Sequence, residues 1–267
     1  MKTFSLSRII NIIRWLFYNN RRRLGTLAGI MLGVLGFETL MNLLGGTLQR
    51  SYHLIVVQAA SMAFFMMTVL VIMSPSFIMR KLDKTNRAVE FFALPASTKE
   101  KYVASWIFIV IGGLLAFFVG FVAYDILQFL FALVFAPGQA ECATVHLYTD
   151  GLSKVFDSSS GVSFSMVTVI AGILFFLWLQ SLYALGGTFF RRFQWLIVTL
   201  LLFIMMFVVS YWVKVKVEGL NIRWLLDLKN NLAYVNIALA ILTVFNYWLS
   251  FRFFKRTQVI NNRFVNI

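Results

Sequence analysis

The sequence has little charge, and that charge is lopsided: 13% of the 267 residues are Asp, Glu, Lys or Arg, with 24 basic residues against 10 acidic ones. Soluble domains carry about a quarter charged residues, so an ordinary soluble domain is excluded. A single cysteine, Cys142, leaves no partner for an internal disulfide and says nothing of the redox compartment. Together with His53 and His146 it supplies too few ligands to specify a metal site. No Gly-x-x-x-x-Gly-Lys-Ser/Thr phosphate loop occurs, no His-Glu-x-x-His pair and no Gly-x-Ser-x-Gly elbow. The chain therefore reads as neither an enzyme nor a cofactor-binding protein in its own right. The basic, amphipathic N-terminus lacks the short apolar core and small-residue site of a cleavable signal. Internal repeats and low-complexity tracts are also missing.

What the chain has in abundance is apolar surface, with 60% hydrophobic and 17% aromatic residues. An all-α, multi-pass membrane protein is expected, because only helices satisfy their own backbone in lipid and each crossing takes about 20 residues. The apolar runs place six spans at 24–46, 54–78, 102–124, 162–187, 194–213 and 232–251. The run from Tyr102 to Ala136 is too long for one crossing, so the part from Asp125 to Ala136, stopping before Pro137, is assigned to the far interface. Pro75 is expected to kink the end of the second span.

Before the first span, Leu6, Ile9, Ile10, Ile13, Leu16 and Phe17 mark one face of an amphipathic helix. Residues 1–23 are therefore expected to lie in the membrane interface. Six spans put both termini on one side. Of the basic residues, 18 fall on that same side: before the first span, in loop 80–101, at Arg191 and Arg192, and in tail 252–267. By the positive-inside rule that side is the cytoplasm. Loops 137–161 and 214–231 are then outside, and Gly219 to Lys229 has the pattern of a short amphipathic helix. The formal charge of +14 is matched to lipid headgroups rather than to nucleic acid.

Within loop 80–101, Pro95 ends a helix expected from about Thr85 to Phe92, and Ser97 with Glu100 has the spacing of a capping box that starts the next. The loop holds six of the basic residues and reads as a docking element. Inside the spans Glu38 stands out, since an ionisable group at that depth marks either a pathway or a hydrogen-bonded structural site. Asp125 reads as interfacial. Gly25, Gly29 and Gly33, and likewise Gly112, Ala116 and Gly120, recur every four residues. Such stripes serve either packing within the chain or a subunit interface.

The order of these parts resembles the permease subunit of an ATP-binding-cassette transporter of the type 2 exporter class, over nearly the whole chain. The most specific match is Glu90 to Trp106, EFFALPASTKEKYVASW, which looks like the Leu-Pro-x-Ser segment between the second and third spans of these permeases. The resemblance implies that Val89, Glu90, Phe91, Phe92 and Leu94 form a coupling helix seated on a separate ATPase, with Pro95, Ser97 and Lys99 shaping the turn beyond it. It also implies that ATP and magnesium are bound by that partner, that a second permease subunit completes the path, and that the complex resides in the cell (inner) membrane. The long third run and the outer loop after Pro137 depart from the compact pattern. Two other readings fit the same sequence: a non-transporting membrane scaffold or accessory subunit, and an ion-coupled carrier using Glu38.

Overall fold

The computed structural model describes residues 5–44, 52–78, 85–135, 141–146, 166–190, 193–219 and 232–256. Among them the secondary structure is helical, with no strand: α1 (Leu6–Leu44), α2 (Tyr52–Met73) continued by a 3-10 turn (Ser74–Phe77), α3 (Thr85–Ala93), α4 (Thr98–Phe135), α5 (Ala143–His146), α6 (Met166–Phe189), α7 (Gln194–Gly219) and α8 (Leu232–Arg256). Among the described residues six helices are long and apolar enough to cross a membrane, in the segments Leu6–Asn42, Leu54–Phe77, Thr98–Val134, Met166–Phe189, Gln194–Tyr211 and Leu232–Arg256. The chain is a multi-pass membrane protein.

Two boundaries differ from those expected. α1 runs unbroken through Leu24, where the sequence separates an interfacial helix from the first span. Arg21, Arg22 and Arg23 mark a change in polarity, but arginine is a good helix former and nothing there breaks the backbone ladder. Its 39 residues measure roughly 58 Å. α4 likewise continues through Asp125 for 38 residues, because that carboxylate finds hydrogen-bond donors and no proline interrupts the run. At Pro75 the expected disturbance takes the form of a tightened end: α2 gives way to the 3-10 turn, with Ser76 Oγ donating to the Met73 carbonyl at 2.8 Å. Residues 214–219 of the expected outer loop continue α7. The remainder of that loop (220–231), Pro137, the link at Arg191 and Arg192, and tail residues 257–267 lie outside the described residues.

The chain forms two compact units. In the unit of residues 11–71 and 110–163, Met31 and Leu35 of α1, Val56 and Ala63 of α2, and Phe117, Phe121 and Tyr124 of α4 form one buried cluster. Small residues let α4 approach closely: a Cβ added at Gly120 would overlap the Ala28 carbonyl of α1. A buried hydroxyl pair, Thr39 Oγ1 and Tyr124 Oη at 2.7 Å, fixes the register of the two helices.

The unit of residues 1–10, 72–109 and 164–267 is built on α6. Gly187 lies against the backbone of Ser76, where an added Cβ would sit 2.5 Å from the Ser76 Cα, and Gly186 lies against Val198 of α7. α8 runs parallel to α6, because Asn236 reaches the Val167 carbonyl near one end and Ser250 reaches the Ala184 carbonyl near the other.

Candidate functional site

The segment from Thr85 to Lys101 is an elbow whose angle is set from both sides. α3 ends where Pro95 forbids continuation, and the turn closes through Leu94 N to Phe91 O at 3.4 Å and Ala96 N to Leu94 O at 2.8 Å. Ser97 N donates to Glu100 Oε2 at 2.8 Å and Glu100 N donates to Ser97 Oγ at 3.3 Å, the reciprocal capping box that starts α4. Lys101 turns the other way, and its Nζ donates to the Phe92 carbonyl at 2.7 Å. A cation is thereby placed on a carbonyl that the end of α3 leaves without a helical partner.

Glu100 does more than cap. It is fully buried, and its Oε1 accepts from the Ser5 amide at 2.8 Å and pairs with the Arg8 guanidinium at 3.0 Å. Three donated or paired contacts, from the Ser97 and Ser5 amides and the Arg8 guanidinium, converge on one carboxylate, which is how a buried charge is tolerated. The beginning of α1 is thus tied to the elbow. Two residues further on, Tyr102 is buried against α8, with its hydroxyl 3.0 Å from Ser250 Oγ and its ring edge-to-face with Phe251 and Phe254 at 5.6 and 5.3 Å.

The residues named from the sequence divide by exposure. Val89, Glu90, Pro95 and Lys99 face outward. Phe91 is only 3% exposed and belongs to the core, edge-to-face with Phe92 at 5.8 Å. Phe92, Leu94 and Ser97 are half-buried. Of the named residues, Val89, Glu90, Pro95 and Lys99 are open to contact, while the intervening aromatic residues hold the elbow in place.

Glu38 is half-buried, and its Oε2 is enclosed with no hydrogen-bond partner among the described residues. Gly25, Gly29 and Gly33 make no close approach, since a Cβ added at any of them meets nothing within 4 Å. Close packing instead falls to Gly120 of the second stripe, against Ala28, and to Gly113 beside that stripe, against Leu70.

Asp125 holds the segment 141–146 against α4. Its carboxyl oxygens accept from Gln128 Nε2, from the amides of Ala143 and Thr144, and from the Thr144 hydroxyl. His146 pairs with Glu141 at 2.9 Å. Among the described residues no three His, Cys, Asp or Glu come together as a metal site. Cys142 lies beside Asp125, and burial first, then that carboxylate, push its thiol pKa upward.

The sequence reading missed a polar ladder between α6 and α8. Asn246 Nδ2 donates to Ser181 Oγ at 3.0 Å and Tyr247 Oη to Gln180 Oε1 at 3.2 Å. Thr188 Oγ1 donates to Ser250 Oγ at 3.2 Å. Asn236, Thr243, Asn246 and Ser250 repeat at steps of seven, three and four, the seam of two helices packed side by side. Polar residues at that spacing in an apolar run were the available signal. In lipid such pairs supply association that apolar contacts alone do not.

No protein-family model, curated protein or solved structure matches the chain.

Proposed function

We propose that this chain is the membrane-spanning permease subunit of an ATP-binding-cassette exporter, and that α3 is the helix on which a separate ATPase subunit docks. The observation that carries the reading is the elbow. A nine-residue helix lies between the second and third long apolar helices, presents Val89 and Glu90 outward, and is pinned to α4 by Lys101. A force applied to α3 reaches α4 through that contact and the turn, and reaches the start of α1 through Glu100. The chain supplies the path and the coupling element, while the partner binds ATP and magnesium. A second permease subunit, identical or related, completes the path, and the unfilled stripe at Gly25, Gly29 and Gly33 supports such a contact. Loop and termini face the cytoplasm of the inner membrane. The test is to purify the chain from its native membranes in mild detergent and assay ATP hydrolysis, with Val89→Asp/Glu90→Arg in parallel. Activity that co-purifies and disappears in the variant, at unchanged thermal midpoint, supports the reading. Absence of activity, or equal activity in both, rejects it.

A second reading, an ion-coupled carrier, rests on the enclosed Oε2 of Glu38, which has no hydrogen-bond partner among the described residues. It requires transport without an ATPase, abolished by Glu38→Gln. The permease reading requires transport that survives that change.

A further inference from the structure

α6, α7 and α8 leave an open apolar groove of about 400 Å³, within the range of about 300–1,000 Å³ usual for ligand sites. Its walls include Leu182, Leu185 and Phe189 of α6, Leu201 and Met205 of α7, and Phe253 of α8. The groove exists because α7 meets α6 closely only near its start, where Gly186 admits Val198 and Tyr183 Oη lies 2.9 Å from Thr199 Oγ1. Beyond that point α7 is exposed almost all round, from Leu200 to Tyr211.

One end of the groove is closed by Phe189 and Phe253, ring centroids 5.4 Å apart. Leu249 and Phe253, four residues apart, face the groove. Helical geometry puts Arg256 on that same face one turn further, with Arg252 at its flank. Both arginines are exposed. Arg252 is held over the Trp248 ring at 4.4 Å, and among the described residues neither arginine pairs with a carboxylate. An apolar slot about 12 Å long from Leu182 to Phe190, with two exposed guanidiniums at one mouth that pair with no carboxylate among the described residues and no acidic group in its lining, suits an amphiphile with an anionic head.

We propose that this groove binds an anionic phospholipid, one acyl chain lying against Leu185, Leu201 and Met205 and the phosphate held by Arg252 and Arg256. Guanidinium pairs suit phosphate oxygens, and basic pockets between membrane helices favour anionic headgroups. The site is independent of the permease reading and holds for any function of the chain.

The test is native mass spectrometry of the full chain in detergent, titrated with phosphatidylglycerol and with phosphatidylcholine of the same acyl chains. Wild type is compared with Arg252→Gln/Arg256→Gln, with Met205→Trp to fill the groove, and with Lys255→Gln as a control on the opposite side of α8. The expected result is retention of phosphatidylglycerol over phosphatidylcholine by about tenfold or more, from about fivefold for each neighbouring cation. That preference falls to near unity in the double arginine variant and persists in Lys255→Gln, while Met205→Trp lowers retention of both lipids. Equal retention of the two lipids by wild type overturns the proposal, as does a preference that survives loss of both arginines. A Met205→Trp variant that changes only the oligomeric state, with lipid retention unaltered, also overturns it and assigns the groove to a second copy of the chain.

Discussion

The Ser5 amide donates to Glu100 Oε1 at 2.8 Å across 95 residues of sequence. The contact makes the start of α1 and the start of α4 parts of one cap. Glu100 serves the Ser97 amide with one oxygen and Ser5 with Arg8 on the other. Loss of the Ser97 hydroxyl removes one cap bond, so Ser97→Ala is expected to lower stability by about 1 kcal/mol. Glu100→Gln is expected to lower the thermal midpoint in detergent further, because an amide has one acceptor oxygen where three contacts converge. Combining it with Arg8→Ala should give less than the sum of the two single losses. Additive losses would show that Arg8 and Glu100 do not interact.

The glycines divide into two groups with opposite expectations. Gly187→Ala forces a Cβ into the backbone of Ser76 and is expected to cost about 1–3 kcal/mol, with no side-chain change able to restore it. Gly186→Ala meets the Val198 side chain instead, and Val198→Ala should rescue it. Gly29→Ala meets nothing within the chain and should leave the isolated chain's thermal midpoint unchanged or raised. Thermal unfolding of the purified variants separates the three cases.

Tyr102→Phe removes the hydroxyl that faces Ser250 while keeping the ring against Phe251 and Phe254. Ser250 retains its bond to the Ala184 carbonyl and its contact with Thr188. The expected loss is modest, about 0.5–1.5 kcal/mol. Tyr102→Ala should cost about 3 kcal/mol or more, because the ring is only 9% exposed. Equal effects of the two changes would contradict the assignment of Tyr102 as a packing anchor.

Cys142 is the single cysteine, and so reports on the segment 141–146 without further engineering. Burial and the Asp125 carboxylate raise its thiol pKa, and the thiolate fraction therefore grows only at higher pH than for an ordinary thiol. Maleimide labelling should be slow near neutrality and accelerate with rising pH. Asp125→Asn removes the charge and weakens the bonds to the Ala143 and Thr144 amides. Its labelling profile should shift toward lower pH and its rate at neutrality should rise. An unchanged profile would mean that Asp125 does not hold this segment.

How far the sequence discloses these features depends on how local their causes are. α3 and the start of α4 follow from Pro95, Ser97 and Glu100, all within six residues, and their structure is what those residues specify. The bonds from Glu100 to Ser5 and Arg8 depend on the fold and leave no local mark. Charge at Arg21 to Arg23 suggested a helix boundary, but charge changes where a helix sits without breaking it. The glycine spacing at Gly25, Gly29 and Gly33 identified a smooth face without identifying its neighbour, while Gly186 and Gly187 make close contacts that no repeat announces. Phe91 and Phe92 were equivalent in sequence. Only packing places Phe91 in the core and leaves Val89 and Glu90 exposed.

The most direct measurement is site-specific photocrosslinking in native membranes, with a benzophenone side chain placed at position 90 and, as a control, at the buried position 91. The account predicts an adduct from position 90 to a soluble nucleotide-binding protein, lost when Val89 is changed to Asp, and little or none from position 91. No such adduct from position 90, or equal adducts from both positions, would contradict the claim that α3 is the face on which an ATPase docks.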